Sequence, residues 1–525
     1  MTPISLLYVD ALLGRPFHLF GERILSKHIN RSIVDHNTVG SSLKINRRLA
    51  LSSIACVLVP YGSSLSLGAD SDAAVLSGMA TDASNDRFVR VKSVLELKGT
   101  IQFKPSKESL ETASTATSIE SKTTLEFEEA IRLQRDSLNR FAVQLYSQAE
   151  SVNDVQKYLT TIKLREECRT VVKLIDSQSR SPNCLDNPLT ASERDLVQGP
   201  VSTIFLDVLL PNASSQIGDQ WRIKGEPLAR LLNLAKVASG AIKVTLVATD
   251  KKSGQLEFSG DVDGEVHDVK TTIHIEGKAT FDRSQGLISW VAVTLQEKRQ
   301  VGDMEPGFDI TARVRILRES IDGLSQEINL TQLEKQAQED RASELTRVHS
   351  KLGAYQFVAD RGWTLYTDSG VDASLRWIQK NYTFAQCTIT NLTDTASGEQ
   401  LSIAGYQDDI QRSMGKQLGQ MLEANERNTN MGLRMMRVTS IGTLNQVPMQ
   451  WIHILVSNDS GRHLSMVFSM TAASADRFGS QDLQIADTIE FTLRELPKSV
   501  REPSKEAGEI TPETASLVNS PTAKK

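Results

Sequence analysis

The sequence predicts an α+β protein. A β-rich domain built on a curved antiparallel sheet covered by helices precedes a smaller α/β sandwich domain. Three observations point there. Five runs between Ala241 and Leu317 alternate apolar and polar residues with period two, the mark of strands with one buried face. Short turns join them, so sequence neighbours pair as an antiparallel meander. Residues 355–493 then run in the order strands, long helix, three strands, helix.

The five runs define the central sheet. Ala241–Thr249 turns through Asp250–Gly254 and returns as Gln255–Gly260. Asp263 and Gly264 read as a two-residue hairpin turn, because both accept positive φ. Val269–Phe281 is a long strand with Thr271, Ile273, Ile275 and Ala279 on one side, and Asp282–Gly286 turns it. Leu287–Glu297 follows. Pro306 and Gly307 then open Phe308–Leu317, where Ile310, Ala312, Val314 and Ile316 alternate. The apolar face needs a cover, and Pro227–Val237 supplies a helix through Leu228, Leu231, Leu232 and Leu234.

Upstream, Phe88–Phe103 is a strand with Gly99 at a bend, and the Ser/Thr-rich stretch 104–122 reads as a loop. Residues 125–175 stay open between helix and strand: Arg132–Lys157 holds good helix formers, but Val143–Tyr146 is strand-like. Thr190–Leu196 starts as a helix capped by Thr190 or Ser192. Val201–Leu210 is a short strand or helix. These elements bound a first domain at 86–320. The charged stretch 321–351 is a connector, and the second domain covers 352–494. There, Tyr355–Thr367 reads as a hairpin, and Ser374–Lys380 and Phe384–Leu392 as strands. Tyr406–Asn428 reads as one long helix striped by Ile410, Met414, Leu418, Met421 and Leu422. Gly432–Ile441, Pro448–Ser457 and Arg462–Thr471 are strands, the last two joined by an Asn458–Gly461 turn. Ala475–Phe491 begins as a helix. Residues 497–525 have almost no apolar content and read as a disordered tail.

At the N-terminus, two arginines precede an apolar run from Leu49 to Pro60, and small residues follow to Ala69. That order reads as a signal peptide over 44–69 with cleavage after Ala69, leaving 1–43 as a start-site artefact or disordered extension. The expected location is the periplasm or cell envelope. Membrane contact would come only through an uncleaved signal or a partial lipobox ending at Cys56, where Ser53 stands in place of the usual leucine. A formal net charge of −5 gives no reason to expect nucleic-acid binding. Of four cysteines, at 56, 168, 184 and 387, none forms a Cys-x-x-Cys pair, so zinc is not expected. Export would let Cys168 and Cys184 form a disulfide, since an oxidising compartment permits it and the loop between them is rich in Ser and Pro.

Chemical motifs are sparse. Ser413 and Lys416 share the Ser-x-x-Lys spacing of penicillin-recognising enzymes, without a following Lys-Thr-Gly. Asp261, Asp263, Glu265 and Asp268 have a calcium-loop flavour that a hairpin turn explains better. His453 and His463 flank a turn, where they would be cross-strand neighbours, but zinc would need a third ligand. Cys387 reads as a buried strand residue, and the five tryptophans as packing residues. No catalytic, cofactor-binding or metal residue is assigned, and no cofactor is expected.

Several runs resemble an uncharacterised family of exported proteins from planctomycete-type bacteria. They include Pro188–Val197, Leu206–Pro211, Ile217–Trp221, Phe258–Gly264, Gln296–Arg299, Glu305–Gly307, Arg361–Trp363, Ala385–Cys387 and Met449–Trp451. The resemblance covers roughly 88–491 and carries no known activity, so it transfers no functional residue. The element order in 355–493 is similar to a PsbP-like α/β/α sandwich, which implies partner binding or assembly. The expected function is therefore an exported, non-catalytic envelope protein with a binding or structural role, its partner an envelope protein or an apolar ligand. The alternatives are a hydrolase with an unrecognised site, or a carrier holding an apolar ligand in the concave face of the sheet. A pocket of convergent polar groups with displaced pKa values would favour the enzyme, and an open apolar groove the carrier.

Overall fold

The computed structural model describes residues 86–102, 116–133, 139–175, 181–185, 187–211, 214–266, 269–302, 306–339, 344–379, 382–398 and 400–493. Residues 44–69, read above as a signal peptide, with Cys56, as well as 1–43, His267, Asp268 and 497–525, lie outside the described residues. The chain is β-rich, with large antiparallel sheets and some helices. In order, the elements are β1 (Arg87–Gln102), β2 (Thr117–Leu133), β3 (Arg140–Val155), β4 (Tyr158–Lys163), β5 (Thr170–Ile175), β6 (Pro182–Asn183) and α1 (Ala191–Gln198). Next come β7 (Gln220–Ile223), α2 (Gly225–Leu231), β8 (Lys236–Thr249), β9 (Ser253–Val266), β10 (Val269–Asp282), β11 (Leu287–Arg299), β12 (Gly307–Ser320) and α3 (Leu330–Glu339). The rest comprises β13 (Leu345–Ser350), β14 (Tyr355–Asp360), β15 (Trp363–Asp368), β16 (Asp372–Gln379), β17 (Tyr382–Asn391), α4 (Ile403–Met414), β18 (Leu418–Asn428), β19 (Arg434–Leu444), β20 (Val447–Ser457), β21 (His463–Thr471), α5 (Ala475–Phe478), α6 (Gln481–Ala486) and β22 (Glu490–Phe491).

A twelve-stranded sheet runs β6-β5-β3-β2-β1-β12-β11-β10-β9-β8-β7, with β4 also beside β3. The meander of β8 to β12 matches the five period-two runs. The meander of β1 to β3 joins it along β1 and β12, from Val89 opposite Ser320 to Gln102 opposite Gly307. Gly99 is required at that seam: a Cβ there would stand 2.2 Å from the Asp309 carbonyl oxygen and 2.6 Å from Ile310 Cα. Across the inner face lie α2 and a 3-10 turn at Thr203–Leu209. Leu206, Leu209, Leu228, Leu231 and Leu232 pack with inward residues of β1, β2 and β8 to β12. Phe205, on the same short turn, packs against Ile131, Ala142 and Ile175 of β2, β3 and β5. One seven-residue turn thus touches strands from β5 to β11, so the sheet wraps around it.

The second sheet has seven strands, β15-β16-β17-β21-β20-β19-β18. On one face, Tyr406, Ile410 and Met414 of α4 pack against Met436, Val438, Trp451 and Leu455. On the other, Phe478 and Ile485 pack with Trp363, Trp377 and Phe468, and with Tyr355 and Phe357 of the small β13-β14-β22 sheet. Segment 181–198 meets the C-terminal part directly: Thr190 forms a parallel bridge with Arg347, Arg194 donates to Thr346 Oγ1 at 3.0 Å, and Arg361 donates to the Pro182 carbonyl at 3.2 Å.

Several expectations need correction. Thr117–Lys122 is not loop but the first part of β2, because its inward Ser121 and Thr123 are polar yet bonded to Asn153 and Ser151. The stretch 125–175, open between helix and strand in the sequence, is mostly strand among the described residues, with β3 taking the residues rich in helix formers. The covering helix is shorter than Pro227–Val237 and ends at Leu231. Asp263 and Gly264 do not turn the chain; they pair with Thr272 and Thr271 inside β9, which continues to Val266. Tyr355–Thr367 is not a hairpin, since β14 pairs with β13 and β22 while β15 pairs with β16. The helix over Tyr406–Asn428 stops at Met414, where Gly415 has φ +51°, and Leu418–Asn428 is an edge strand. Two register shifts in β18 break its period-two pattern, which is how an irregular strand resembled a helical stripe.

The seam gives a direct test. Gly99→Ala forces backbone apart at β1 and β12, and should lower unfolding stability by about 1–3 kcal/mol in urea denaturation, as overpacking does. Unchanged stability would show that the seam yields without cost.

Candidate functional site

Charged and polar side chains collect on the inner face where β2, β3, β5 and β12 meet the covering segment. Glu129 stands between inward Phe127 and Ile131, Lys173 between Val171 and Ile175, and Arg318 follows Val314 and Ile316. All three side chains are therefore carried inward by strand alternation. Gln144, opposite Glu129 on β3, donates to Glu129 Oε1 at 2.6 Å, and Thr203 donates to the same oxygen at 2.8 Å. The Tyr146 hydroxyl donates to Gln144 Oε1 at 2.8 Å. Lys173 Nζ donates to the Val197 carbonyl at 2.9 Å. That carbonyl lies at the C-terminal end of α1, where orphan carbonyls and the helix dipole favour a cation.

The helix is held for this contact. Thr190 caps it through a capping box, accepting from Glu193 N–H at 3.1 Å while its own N–H donates to Glu193 Oε2 at 2.8 Å. Arg165 grips the same carboxylate at 2.8 and 3.0 Å. Beside the cluster, Arg140 donates to the Ile204 carbonyl, pairs with Asp207 at 3.3 Å, and lies over the Phe205 ring at 4.3 Å from its centroid. Arg318 donates to the Ile288 carbonyl at 3.5 Å, and its charge faces Glu129 and Asp207.

Burial dominates the electrostatics. It pushes the Lys173 ammonium down to about 8, against the pull of Glu129. Burial and the Glu129 charge raise the Tyr146 phenol well above its ordinary value. Burial pushes the Asp207 carboxyl up, yet Arg140, Arg87 and Arg318 together hold it below the ordinary range. A cavity of about 40 Å³ adjoins the cluster, lined in part by Ser93, Thr123, Gln144, Lys173, Asp195 and Thr203. It has room for about three waters. Chemically, the site offers a lysine that gives up its proton more readily than usual beside this cavity, with the Glu129 carboxylate and the Tyr146 phenol linked to it through Gln144.

No motif search pointed to this cluster. The available signal was parity: a charge at an inward position of an alternating strand. The residues singled out in the sequence lie elsewhere. The Cys168 and Cys184 side chains are buried and in hydrogen-bonding contact, but unbonded in this structure. Ser413 spends its hydroxyl on the Ile410 carbonyl at 2.9 Å, and Lys416 lies beyond the end of α4. Asp261, Asp263 and Glu265 lie along β9, with Asp261 bonded to His274 at 2.7 Å and Asp263 to Ser239 at 2.6 Å. Among the described residues, no group of three His, Cys, Asp or Glu side chains could hold a metal ion. His453 and His463 are not cross-strand neighbours: His453 faces Val467, and His463 faces Ser457. Burial pushes His453 down to about 4. Cys387 is buried in β17. Trp363, Trp377 and Trp451 are buried, Trp221 donates to the Leu209 carbonyl at 3.1 Å, and Trp290 is partly exposed.

No family model matches this chain, and no curated protein matches it. Solved structures give slight likenesses. A Pseudomonas aeruginosa protein of unknown function, PA94, is 16% identical over 22% of this chain and 74% of its own, with a TM-score of 0.16. The Acinetobacter baumannii protein OccAB4 is 9% identical over 74% of this chain and 99% of its own, with a TM-score of 0.10. The Pseudomonas aeruginosa outer membrane protein OprD is 8% identical over 76% and 96%, with a TM-score of 0.11. Likenesses at this level carry neither fold nor function to this chain.

The buried lysine makes stability depend on pH. Its folded value, about 8, lies below the ordinary 10.5, so the unfolded chain binds more protons between them and stability rises with pH across that window. Lys173→Met removes this dependence. Its stability advantage over the parent should therefore shrink by about 3 kcal/mol between pH 8 and 10.5 in urea denaturation. A difference that stays flat with pH would contradict the burial argument.

Proposed function

We propose that this chain is an exported cell-envelope protein with a binding or structural role, and that its partner contacts the outside of the sheets. The observation that carries the reading is the occupied interior. The inner face of the large sheet is filled by the chain's own α2 and 3-10 turn, leaving about 40 Å³ beside the polar cluster. An apolar ligand of lipid size would have to displace that packing. Apolar side chains are meanwhile available outside: Tyr158 and Leu159, at the tip of the β3–β4 hairpin, are 69% and 72% exposed. Support for export comes from the basic, apolar and small-residue order over 44–69 and from the resemblance to exported proteins. We read residues 352–494 as a second domain of α/β-sandwich type, with α4 on one face of its sheet and α5 and α6 on the other.

An enzymatic reading has one observation in its favour, the Lys173 ammonium pushed down to about 8 by burial beside a cavity, the direction in which a lysine is tuned as a base or nucleophile. That cavity is far smaller than a substrate-sized cleft, so the binding role is the better-supported reading.

N-terminal sequencing and intact mass of protein from the native envelope fraction test the proposal. A mature chain beginning near Asp70 is expected. Recovery of Met1 together with the Leu49–Pro60 segment in a cytoplasmic fraction would sink it.

A further inference from the structure

We infer that Cys168 and Cys184 form a structural disulfide in the mature protein, and that this bond pins the segment on which the C-terminal part is seated. Cys168 ends the 3-10 turn Glu166–Cys168 between β4 and β5, and Cys184 directly follows β6. Both are buried, at 0% and 4% exposure. The two segments are already laced crosswise by the thiols: Cys168 Sγ donates to the Asn187 carbonyl at 3.4 Å, and Cys184 Sγ donates to the Glu167 carbonyl at 3.5 Å. The two sulfurs also contact each other. Cys387, the third described cysteine, sits apart in β17, in the core of the seven-stranded sheet.

The surroundings give the bond a consequence. Beyond Cys184 the chain passes Asn187 and Leu189 into Thr190, the cap of α1. Leu189 and Thr190 meet β13: the Arg347 N–H donates to the Leu189 carbonyl at 3.2 Å, beside the Thr190–Arg347 bridge. The Pro182 carbonyl accepts from Arg361. A covalent link from Cys184 to the 3-10 turn fixes this docking segment to the large sheet. It also fixes α1, whose Val197 carbonyl holds Lys173.

The chemistry balances as follows. The two thiols give up two protons and two electrons as the Sγ–Sγ bond forms. A disulfide-bearing oxidant takes them up through a mixed disulfide and leaves as two thiols. The neighbouring Cys184 side chain, and then burial, raise the Cys168 thiol, which disfavours the attacking thiolate in the closed protein. Once formed, the bond is buried and so shielded from reductants. This inference rests on the export proposed above, since an oxidising compartment supplies the oxidant.

The test uses the full chain from the native envelope fraction, denatured without reductant and treated with a maleimide. The expected result is one labelled cysteine, Cys387, with a tryptic product joining the Cys168 and Cys184 peptides that is two hydrogens lighter than their sum. A chain that starts near Asp70 but labels at all three cysteines overturns the disulfide while leaving export intact. A chain that retains Met1 overturns export instead. For that case, purified chain refolded with oxidised glutathione decides the geometry alone: formation of the 168–184 bond upholds the pairing, and its absence overturns it. Reduction of the bonded protein in mild denaturant should lower its thermal midpoint by several degrees. Cys168→Ser, Cys184→Ser and the double variant should lower it equally, because either substitution removes the same bond. Additive losses would mark two separate packing effects and overturn the inference.

Discussion

The antiparallel pairing of β1 with β12 is the constraint on which the large sheet depends. It joins two meanders whose pairing strands lie more than two hundred residues apart in sequence, so loop closure must be met before the contacts form. Its register decides which residues face inward. A slip by one residue would turn Arg318 outward and Leu317 inward, and would misplace every layer stacked on β11. Gly99 helps hold that register, since only a residue without Cβ allows the backbones to approach as they do.

The inner face is more polar than a sheet core needs to be. Replacing buried ion pairs by apolar residues of similar volume is often neutral or stabilising, so Glu129, Asp207, Arg140, Arg318 and Lys173 are weak evidence for stability. Their geometry points to positioning instead. Glu129 takes its hydrogen bonds from β3 and from Thr203, Arg140 reaches Ile204 and Asp207, and Lys173 reaches Val197. Apart from the Gln144–Glu129 bond between β3 and β2, each ties a strand to the covering segment. Together they set where α1 and the 3-10 turn rest against the sheet, a task for which non-directional apolar contact is poorly suited.

The sequence made the fold legible wherever burial produced clean alternation. β8 to β12, β1, β19 to β21 and the Thr190 cap all followed from local pattern. Legibility failed where the inward face was polar. Ser121 and Thr123 hid the start of β2, and the helix formers of β3 concealed a strand held by partners on both sides. It failed again where a turn-prone pair lay inside a strand, since Asp263 and Gly264 are set by the register of β9 against β10 rather than by their own preference. The candidate site was invisible to motif search because its members come from β2, β3, β5, β12 and the Thr203 turn, with no fixed spacing. Only the pairing of distant strands brings them together.

The bulges of β18 bear on how the folded protein behaves among its own copies. An edge strand leaves a row of unpaired amides and carbonyls that a second chain can zip onto. The seven-stranded sheet ends in such a strand, yet the shifts between Leu418 and Gln420 and between Met421 and Glu423 kink its rim. Glu423, Glu426 and Arg427 add charge along the same rim. On the large sheet, the part of β8 left uncovered by short β7 is likewise kinked between Val237 and Ser239, with Gly240 at φ +97°. These two rims are thus poor templates for fibril growth.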